Sequence, residues 1–167
     1  SDAPTVANAD ALRRAVALSP GDVVAQRYEI VRLLGRGGMG AVYAAVDREL
    51  SREPVALKTM LPTEHVSEAA MQRFRREIQL ARRVAHPNVC RIFDLGQHPA
   101  PRGGEPLLFV TMELVEGVTL TEVLRREGRL GPEEVLRIVR QIASGLEAIH
   151  GAGIVHRDLK PGNLMLV

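Results

Sequence analysis

Near its C-terminal end the chain reads His-Arg-Asp-Leu-Lys-Pro-Gly-Asn at positions 156–163. We interpret this polar stretch, which contains both proline and glycine, as a loop. On such a loop the Asp158 carboxylate can orient a hydroxyl group and accept its proton, and the Asn163 amide oxygen can bind Mg²⁺. A metal site made from His156 and Asp158, with His150 close in sequence, is the rival interpretation, but it lacks a suitably spaced third ligand.

A glycine-rich segment lies far upstream, with the sequence Gly-Arg-Gly-Gly-Met-Gly at positions 35–40. Glycines let the backbone approach phosphate oxygens closely and direct N–H groups at them. The segment could instead be a Rossmann dinucleotide loop, since Glu53 stands roughly where that motif wants an acid, or a hairpin that binds nothing. Val42, just after the glycines, favours a loop that covers nucleotide phosphates.

Lysine is rare in this chain, because only Lys58 and Lys160 among the 22 basic residues are lysines. A compact ammonium on a flexible stem can do what a planar guanidinium cannot, so both lysines are candidate site residues. Lys160 lies in the 156–163 loop, from where it could reach a transferring phosphate. Lys58 ends the predicted strand Val-Ala-Leu-Lys at 55–58, as either a surface lysine or a phosphate contact.

Glu77 stands in a predicted helix over residues 67–85, whose apolar residues recur every three or four positions. It lies beside that apolar stripe and among arginines. Two interpretations stay open, a solvated ion pair with Arg73 or an ion pair with Lys58 that holds the ammonium for phosphates. The arginines of this helix lack interleaved aromatic residues, which favours a solvated helix face over a nucleic-acid patch.

Composition argues against several other functions. The formal net charge of +2 gives no reason to expect a nucleic-acid partner, and the single cysteine, Cys90, excludes an internal disulfide framework. No apolar run approaches the ~18 residues that a membrane span needs, and no signal-peptide pattern opens the chain. We therefore expect a cytoplasmic protein.

The order of predicted elements is α+β, with five strands and one helix followed by further helices. A sheet lobe at residues 27–113 would be hinged near residues 113–117 to a helical lobe at 114–167, after an N-terminal extension or linker at 1–26. In the second lobe, a capping box at Thr119 opens a short helix and Pro132 opens a long one. The predicted strands are Tyr28–Leu34, Ala41–Val46 (which could also be helical), Val55–Lys58, Cys90–Leu95 and Leu107–Glu113.

Together these motifs resemble the catalytic domain of the eukaryotic-like serine/threonine protein kinases, and more closely its bacterial branch. The resemblance covers residues 28–167 and keeps the family's order and separations. It rests on residues 34–43, 55–58, 77, 86–88, 112–117 and 156–163. It implies a protein-kinase-like two-lobe fold, with the five-stranded small lobe complete and only the first helices of the large lobe present.

The resemblance also implies ATP and Mg²⁺ as cofactors, and transfer of the ATP γ-phosphate to a serine or threonine hydroxyl of a protein substrate. Asp158 would be the catalytic base, Lys160 a phosphate stabiliser and Asn163 a Mg²⁺ ligand. Lys58 and Glu77 would form the activating ion pair. The implied ATP contacts are Leu34, Gly35, Arg36, Gly37, Gly38, Met39, Gly40, Val42, Ala56, Lys58, Met112 as gatekeeper, the backbone of Glu113 and Val115, and Met165.

The sequence departs from the family's pattern after residues 164–167, where the family continues into Asp-Phe-Gly and an activation loop. The absent aspartate would chelate the metal that bridges the phosphates. We therefore expect a catalytic-domain fragment that is inactive by itself, and Arg157 looks like the arginine that receives a phosphorylated activation loop. The alternative is a pseudokinase or a regulatory ATP-binding module.

Overall fold

The structure is a computed structural model that describes residues 17–37, 40–60, 68–99 and 106–167. The chain divides into two compact units, one made of Ser1–Arg75 and Ile92–Leu114 and the other of Arg76–Arg91 and Val115–Val167. In the described part of the chain, no helix is both long and apolar enough to cross a membrane.

An antiparallel sheet makes up most of the first unit. Within the described residues it has six strands, not the five expected from the sequence, because Val23–Val24 pairs with Tyr28 and Glu29 and adds a short edge strand. Val24 is fully buried there, so this edge belongs to the sheet although it precedes residue 27. The strands, in the spatial order β1-β2-β3-β4-β6-β5, are β1 (Val23–Val24), β2 (Tyr28–Gly37), β3 (Gly40–Asp47), β4 (Glu53–Met60), β5 (Ile92–His98) and β6 (Leu107–Glu113).

Successive residues of each strand point to opposite faces of the sheet, and one face carries the core. Tyr43 on β3, Leu57 on β4 and Phe109 on β6 are fully buried members of this core, and the Phe109 ring packs edge-on against Tyr28 at 5.8 Å. Aromatic residues are scarce in the chain, so aliphatic side chains complete this cluster. The remaining members are Leu18, Val24, Ile30, Ala45, Val55 and Leu107.

The second unit is helical. The boundary between the units falls within α1 (Glu68–Ala81), and the unit continues through α2 (Leu120–Glu127) and α3 (Pro132–Gly151). The predicted capping box is confirmed, because the Thr119 hydroxyl accepts the Glu122 backbone N–H at 3.2 Å and the Glu122 carboxylate accepts that of Thr119 at 2.7 Å. A 3-10 turn (Pro161–Asn163) follows α3, and two short strands, β7 (Val118–Thr119) and β8 (Met165–Leu166), pair with each other.

The loop after α1 packs against α3, which explains why residues 76–91 group with the helical unit and not with the sheet. Gly145 of α3 is buried against the Asn88 carbonyl oxygen, which would lie 2.9 Å from a Cβ at this position. Beside it, His86 Nε2 lies 3.0 Å from Ser144 Oγ, while His86 Nδ1 accepts the Asn88 N–H. The proton therefore resides on Nε2, so His86 donates to Ser144 and cannot act as its base.

Candidate active site

The loop at 156–163 holds its polar side chains against one another. The Lys160 ammonium lies 2.9 Å from one carboxylate oxygen of Asp158, and the Asn163 side-chain nitrogen donates to the other at 2.9 Å. The same nitrogen also donates to the Asp158 backbone carbonyl at 2.8 Å. All three residues are exposed, and Pro161 begins the 3-10 turn that brings Asn163 back towards Asp158.

Asp158 is held in its charged form. The hydrogen bond from the Lys160 ammonium, and next the one from Asn163, lower the pKa of the Asp158 carboxyl below its usual range. Both bonds favour the ionised form, so the carboxyl, which is negative at neutral pH in any case, stays negative to lower pH. A carboxylate fixed in this way can accept a hydrogen bond from a substrate hydroxyl.

The Asn163 amide is oriented by these bonds. Its nitrogen faces Asp158, so its carbonyl oxygen is the amide atom that can bind a cation, and oxygen is the donor type that Mg²⁺ prefers. Within the residues that the structure describes, no group of three or more histidine, cysteine, aspartate or glutamate side chains could hold a metal. An amide oxygen beside a carboxylate is a donor set that suits a hard divalent cation.

In the first unit, four predicted site residues share the face of the sheet that is opposite the core. Val42 on β3 pairs with Lys58 on β4, and Ala56, two positions before Lys58, pairs with Met112 on β6. Paired residues, and residues two apart along a strand, point to the same side of a sheet. Tyr43 and Leu57 alternate with them and enter the core, so the alternation explains the separation of the two sets.

The glycine segment spans the end of β2 and the start of β3. Gly40 has φ of +146°, and a Cβ there would collide with the Thr59 carbonyl oxygen, so the fold itself requires this glycine. Gly35 and Gly37 differ, because among the described residues a Cβ at either would meet no heavy atom within 4 Å. Neither of them has a φ in the left-handed region. Gly38 and Met39, two further predicted ATP contacts, lie outside the described residues.

The other predicted ATP contacts are spread over both units. Leu34 lies at an irregularity between Leu33 and Gly35 that leaves it without a register partner on β3. Arg36, one position before Gly37, is exposed, and Glu113 closes β6 opposite Val55. In the second unit Val115 is half-buried just after β6, and Met165 is 40% exposed on β8.

Glu77 on α1 has a partner that the sequence did not suggest. Its carboxylate accepts a hydrogen bond from the Arg157 guanidinium at 3.1 Å, within the second unit. Arg157 has φ of +61°, a left-handed conformation that non-glycine residues rarely adopt. Lys58 belongs to the other unit, and its ion pair with Glu77 stays a prediction. The alternative pair with Arg73 is not the contact that the structure shows for Glu77.

The pairing of β7 with β8 is a feature that the sequence did not predict. Val118 pairs with Leu166 and Thr119 with Met165, and the Leu120 N–H donates to the Leu164 carbonyl at 2.8 Å. These bonds join the start of α2 to the segment just after Asn163. Two-residue strands carry no readable period, so only the capping box at Thr119 marked this region in the sequence.

Comparison with known proteins supplies the family. Residues 28–167 match the family described as protein kinase domain, and the chain therefore belongs to the protein kinases. The motif resemblance is confirmed. The expected fold is confirmed as well, since the chain matches the crystal structure of the Mycobacterium tuberculosis PknI kinase domain with a TM-score of 0.74 and 32% sequence identity.

The chain is similar to bacterial serine/threonine-protein kinases. The chain is 42% identical over 147 residues to pkn3 of Myxococcus xanthus and 40% identical over 146 residues to PrkC of Bacillus subtilis, and each alignment covers 87% of the chain. It spans only 26% and 22% of the length of these two relatives. Against the PknI kinase domain, 90% of the chain aligns with 59% of that structure.

Proposed function

We propose that this chain is the first part of the catalytic domain of an ATP-dependent serine/threonine protein kinase, which transfers the γ-phosphate to a hydroxyl of a protein substrate. The observation that carries the proposal is the Asp158 carboxylate, held ionised between Lys160 and Asn163. A base in that position would orient the substrate hydroxyl, and Lys160 would neutralise charge on the transferring phosphate.

Mg²⁺ would be held in part by the Asn163 carbonyl oxygen, and it would neutralise charge on the ATP phosphates. The Asn163 nitrogen donates both to the Asp158 carboxylate and to the Asp158 backbone carbonyl, so the amide keeps its backbone bond when the Asp158 side chain is replaced. The protein's own contribution at this point is therefore a fixed amide oxygen next to a fixed carboxylate.

The sheet face supports an ATP site in the first unit. Val42, Ala56 and Met112 would offer an apolar surface to the adenine, and Lys58 on the same face would contact the phosphates. Neither packing within the described residues nor backbone conformation explains glycine at positions 35 and 37. Close approach of the backbone to phosphate oxygens does explain it.

The test is Asp158→Asn in a full-length protein that contains this chain, with Glu133→Gln as the control. Glu133 is exposed in the first turn of α3, so the control makes the same carboxylate-to-amide change away from the loop. We expect Asp158→Asn to lower phosphate transfer by a factor on the order of 10²–10⁴ and to leave ATP affinity nearly unchanged. The control should change neither quantity.

Two measurements decide the outcome, namely transfer of radiolabelled phosphate with phosphoamino-acid analysis and ATP binding by titration. Full transfer by the Asp158→Asn protein, or phosphotyrosine as the sole product, would overturn the proposal. ATP binding without transfer in the wild-type protein would identify a regulatory ATP-binding module.

A further inference from the structure

Residues 17–27, which we call the N-terminal strap, precede the part of the chain that matches the kinase family. They are nevertheless built into the core of the first unit. Leu18 is 7% exposed and Val24 is fully buried, and both belong to the cluster that contains Tyr43 and Leu57. A segment that precedes residue 28 therefore completes the core on which the candidate ATP face rests.

Hydrogen bonds fix the strap to two strands. The Gly21 N–H donates to the Ile30 carbonyl and the Ile30 N–H donates to the Asp22 carbonyl, each at 2.8 Å, which joins the strap to β2. The Leu18 N–H donates to the Tyr43 hydroxyl at 3.2 Å in a buried contact, which joins it to β3. A buried N–H that is left without an acceptor is costly, so this last bond matters for the docked state.

Tyr43 connects the strap to the candidate ATP face through the thickness of the sheet. Tyr43 follows Val42 directly on β3, and its register partner Leu57 precedes Lys58 on β4. Val42 and Lys58 are on the face opposite the core, so a displacement of Tyr43 and Leu57 moves the backbone that carries them.

The turn between β1 and β2 is held in a conformation that its residues disfavour. Ala25 and Gln26 have φ of +50° and +59°, and the Arg27 N–H donates to the Val24 carbonyl, which makes a type I′ turn without asparagine or glycine. The Ala25 N–H donates to His98 Nδ1 at 3.0 Å and fixes the turn to β5. Strain of this kind persists where the surrounding contacts over-determine the conformation.

We propose that the N-terminal strap is a positioning element of the ATP site, which acts through the Leu18–Tyr43 contact on the strands that carry Val42 and Lys58. The inference rests on the proposed function. When the strap detaches, the ATP face loses its support and the binding-competent fraction of the protein falls. ATP affinity falls in the same proportion, while the loop around Asp158 is untouched.

The principal test is Tyr43→Phe in the full-length protein, which removes the hydroxyl that accepts the Leu18 N–H and keeps the ring in the core. Tyr28→Phe is the matched control, because it makes the same change at the other tyrosine of the same cluster. We expect Tyr43→Phe to raise KM for ATP and the dissociation constant of ATP by roughly two- to tenfold, with kcat unchanged, since one buried hydrogen bond is lost. Tyr28→Phe should leave both constants within twofold of wild type.

A second variant tests the opposite direction. Gln26→Gly relieves the left-handed strain of the strap turn, and Ser51→Gly does the same in the β3–β4 hairpin, where Ser51 has φ of +50°. Both should raise Tm, but only Gln26→Gly should increase hydrogen-exchange protection at Leu18 and tighten ATP binding.

The outcomes separate the strap from the proposed function. ATP binding by the wild-type protein that neither Tyr43→Phe nor Gln26→Gly changes would overturn the strap proposal alone. An equal loss of ATP affinity in Tyr43→Phe and Tyr28→Phe would also overturn it, because general core damage would then be the cause. A wild-type protein that binds no ATP would overturn the proposed function and the strap proposal together.

Discussion

Glu77 and Arg157 are 80 positions apart in sequence, and they form an ion pair in which the guanidinium lies 3.1 Å from the carboxylate. The side chains are 52% and 70% exposed, so water competes for both charges. The family resemblance assigns each of them another partner, Lys58 for Glu77 and a phosphate for Arg157. In the structure the two side chains neutralise each other, and the partners that the resemblance assigns to them stay predictions.

The Glu77–Arg157 pair should contribute little to stability. We expect a double-mutant cycle with Glu77→Gln and Arg157→Met to give a coupling free energy of about 0.2–1 kcal/mol in urea unfolding, because exposed ion pairs are worth no more. The coupling should shrink further in 1 M salt, where the Debye length is about 3 Å. A coupling free energy above about 2 kcal/mol would mean that the pair is a fixed structural contact. That result would argue against a change of partner from Arg157 to Lys58.

With ATP and Mg²⁺ bound in a full-length protein, Glu77 should pair with Lys58. The expected result is a distance within about 4 Å between the Lys58 ammonium and the Glu77 carboxylate, measured in a structure of the nucleotide complex. Lys58→Met and Glu77→Gln should then lower phosphate transfer non-additively, because each removes the same ion pair. Glu77 still bound to Arg157 in the nucleotide complex, with additive losses in the two variants, would remove Glu77 from the catalytic set.

Sequence motifs located local groups of residues better than partners that are far apart in the sequence. The capping box at Thr119 and the loop residues Asp158 and Asn163 are local patterns, so spacing alone was enough to find them. The partner of Glu77 could not be found in this way, because a contact over 80 positions depends on how α1 and the 156–163 loop pack within the second unit.

The N-terminal edge of the sheet was missed for a similar reason. Val23–Val24 is too short to show a strand period, and the surrounding composition was that of a linker. What holds it is tertiary, namely the burial of Leu18 and Val24 against Tyr43 on β3. Local sequence propensities do not encode such a tertiary contact.

Lys160 should set the lower pH limit of activity. Asp158 acts as an ionised base, so activity falls when the pH drops through its pKa, which the hydrogen bond from Lys160 lowers. In Lys160→Met that pKa rises, and the acidic limb of the pH profile of kcat/KM should move to higher pH. Lys160→Arg keeps the charge and should keep the limb near its wild-type position. An unmoved limb in Lys160→Met would show that Asp158 is not the group whose ionisation limits the rate.

Arg27 should be a stability determinant of the sheet. It bonds Asp47 at 2.6–3.0 Å, the Asp47 side chain is only 3% exposed, and this bonding lowers the pKa of the Asp47 carboxyl. Arg27→Met should lower the free energy of unfolding by about 2–3 kcal/mol at pH 7. This loss is towards the lower end for a broken buried ion pair, because the Arg27 side chain is itself 30% exposed. Urea unfolding provides the measurement.

The pH dependence of that loss has a definite sign. The pKa of the Asp47 carboxyl is lower in the folded protein than the value of about 3.9 expected for the unfolded chain, so the ionised carboxylate stabilises the fold above that pH. The difference in free energy of unfolding between wild type and Arg27→Met should therefore narrow as the pH falls below about 3.9 and through the folded pKa. Arg52→Met is the control, since its pair with Glu29 is exposed and should contribute at most about 1 kcal/mol. Equal losses in the two variants would contradict a special role for the buried carboxylate of Asp47.

The 167-residue chain on its own should be catalytically inactive and weakly stable. Three large apolar residues of α3 are 43–51% exposed, namely Val135, Leu136 and Val139. Other large apolar residues of α3 are better covered, because Ile138 is buried and Ile142, Leu146 and Ile149 are half-buried. Covering an apolar side chain contributes about 1.5–3 kcal/mol, so three of them still compare with the lower end of the ~5–15 kcal/mol stability of a domain.

Val139→Gln tests whether the exposed apolar face of α3 is buried in a protein with the complete catalytic domain. In the isolated chain the substitution should change Tm little, because Val139 already faces water, whereas a longer protein with the complete catalytic domain should lose about 1.5–3 kcal/mol if that face is buried there. Ile138→Ala is the control, and it should destabilise both proteins because its site is buried in this chain. A sharp thermal transition together with Mg²⁺-dependent phosphate transfer by the isolated chain would contradict this prediction. A Val139→Gln substitution that leaves the stability of both proteins unchanged would also contradict it, because the longer protein would then not bury this face of α3.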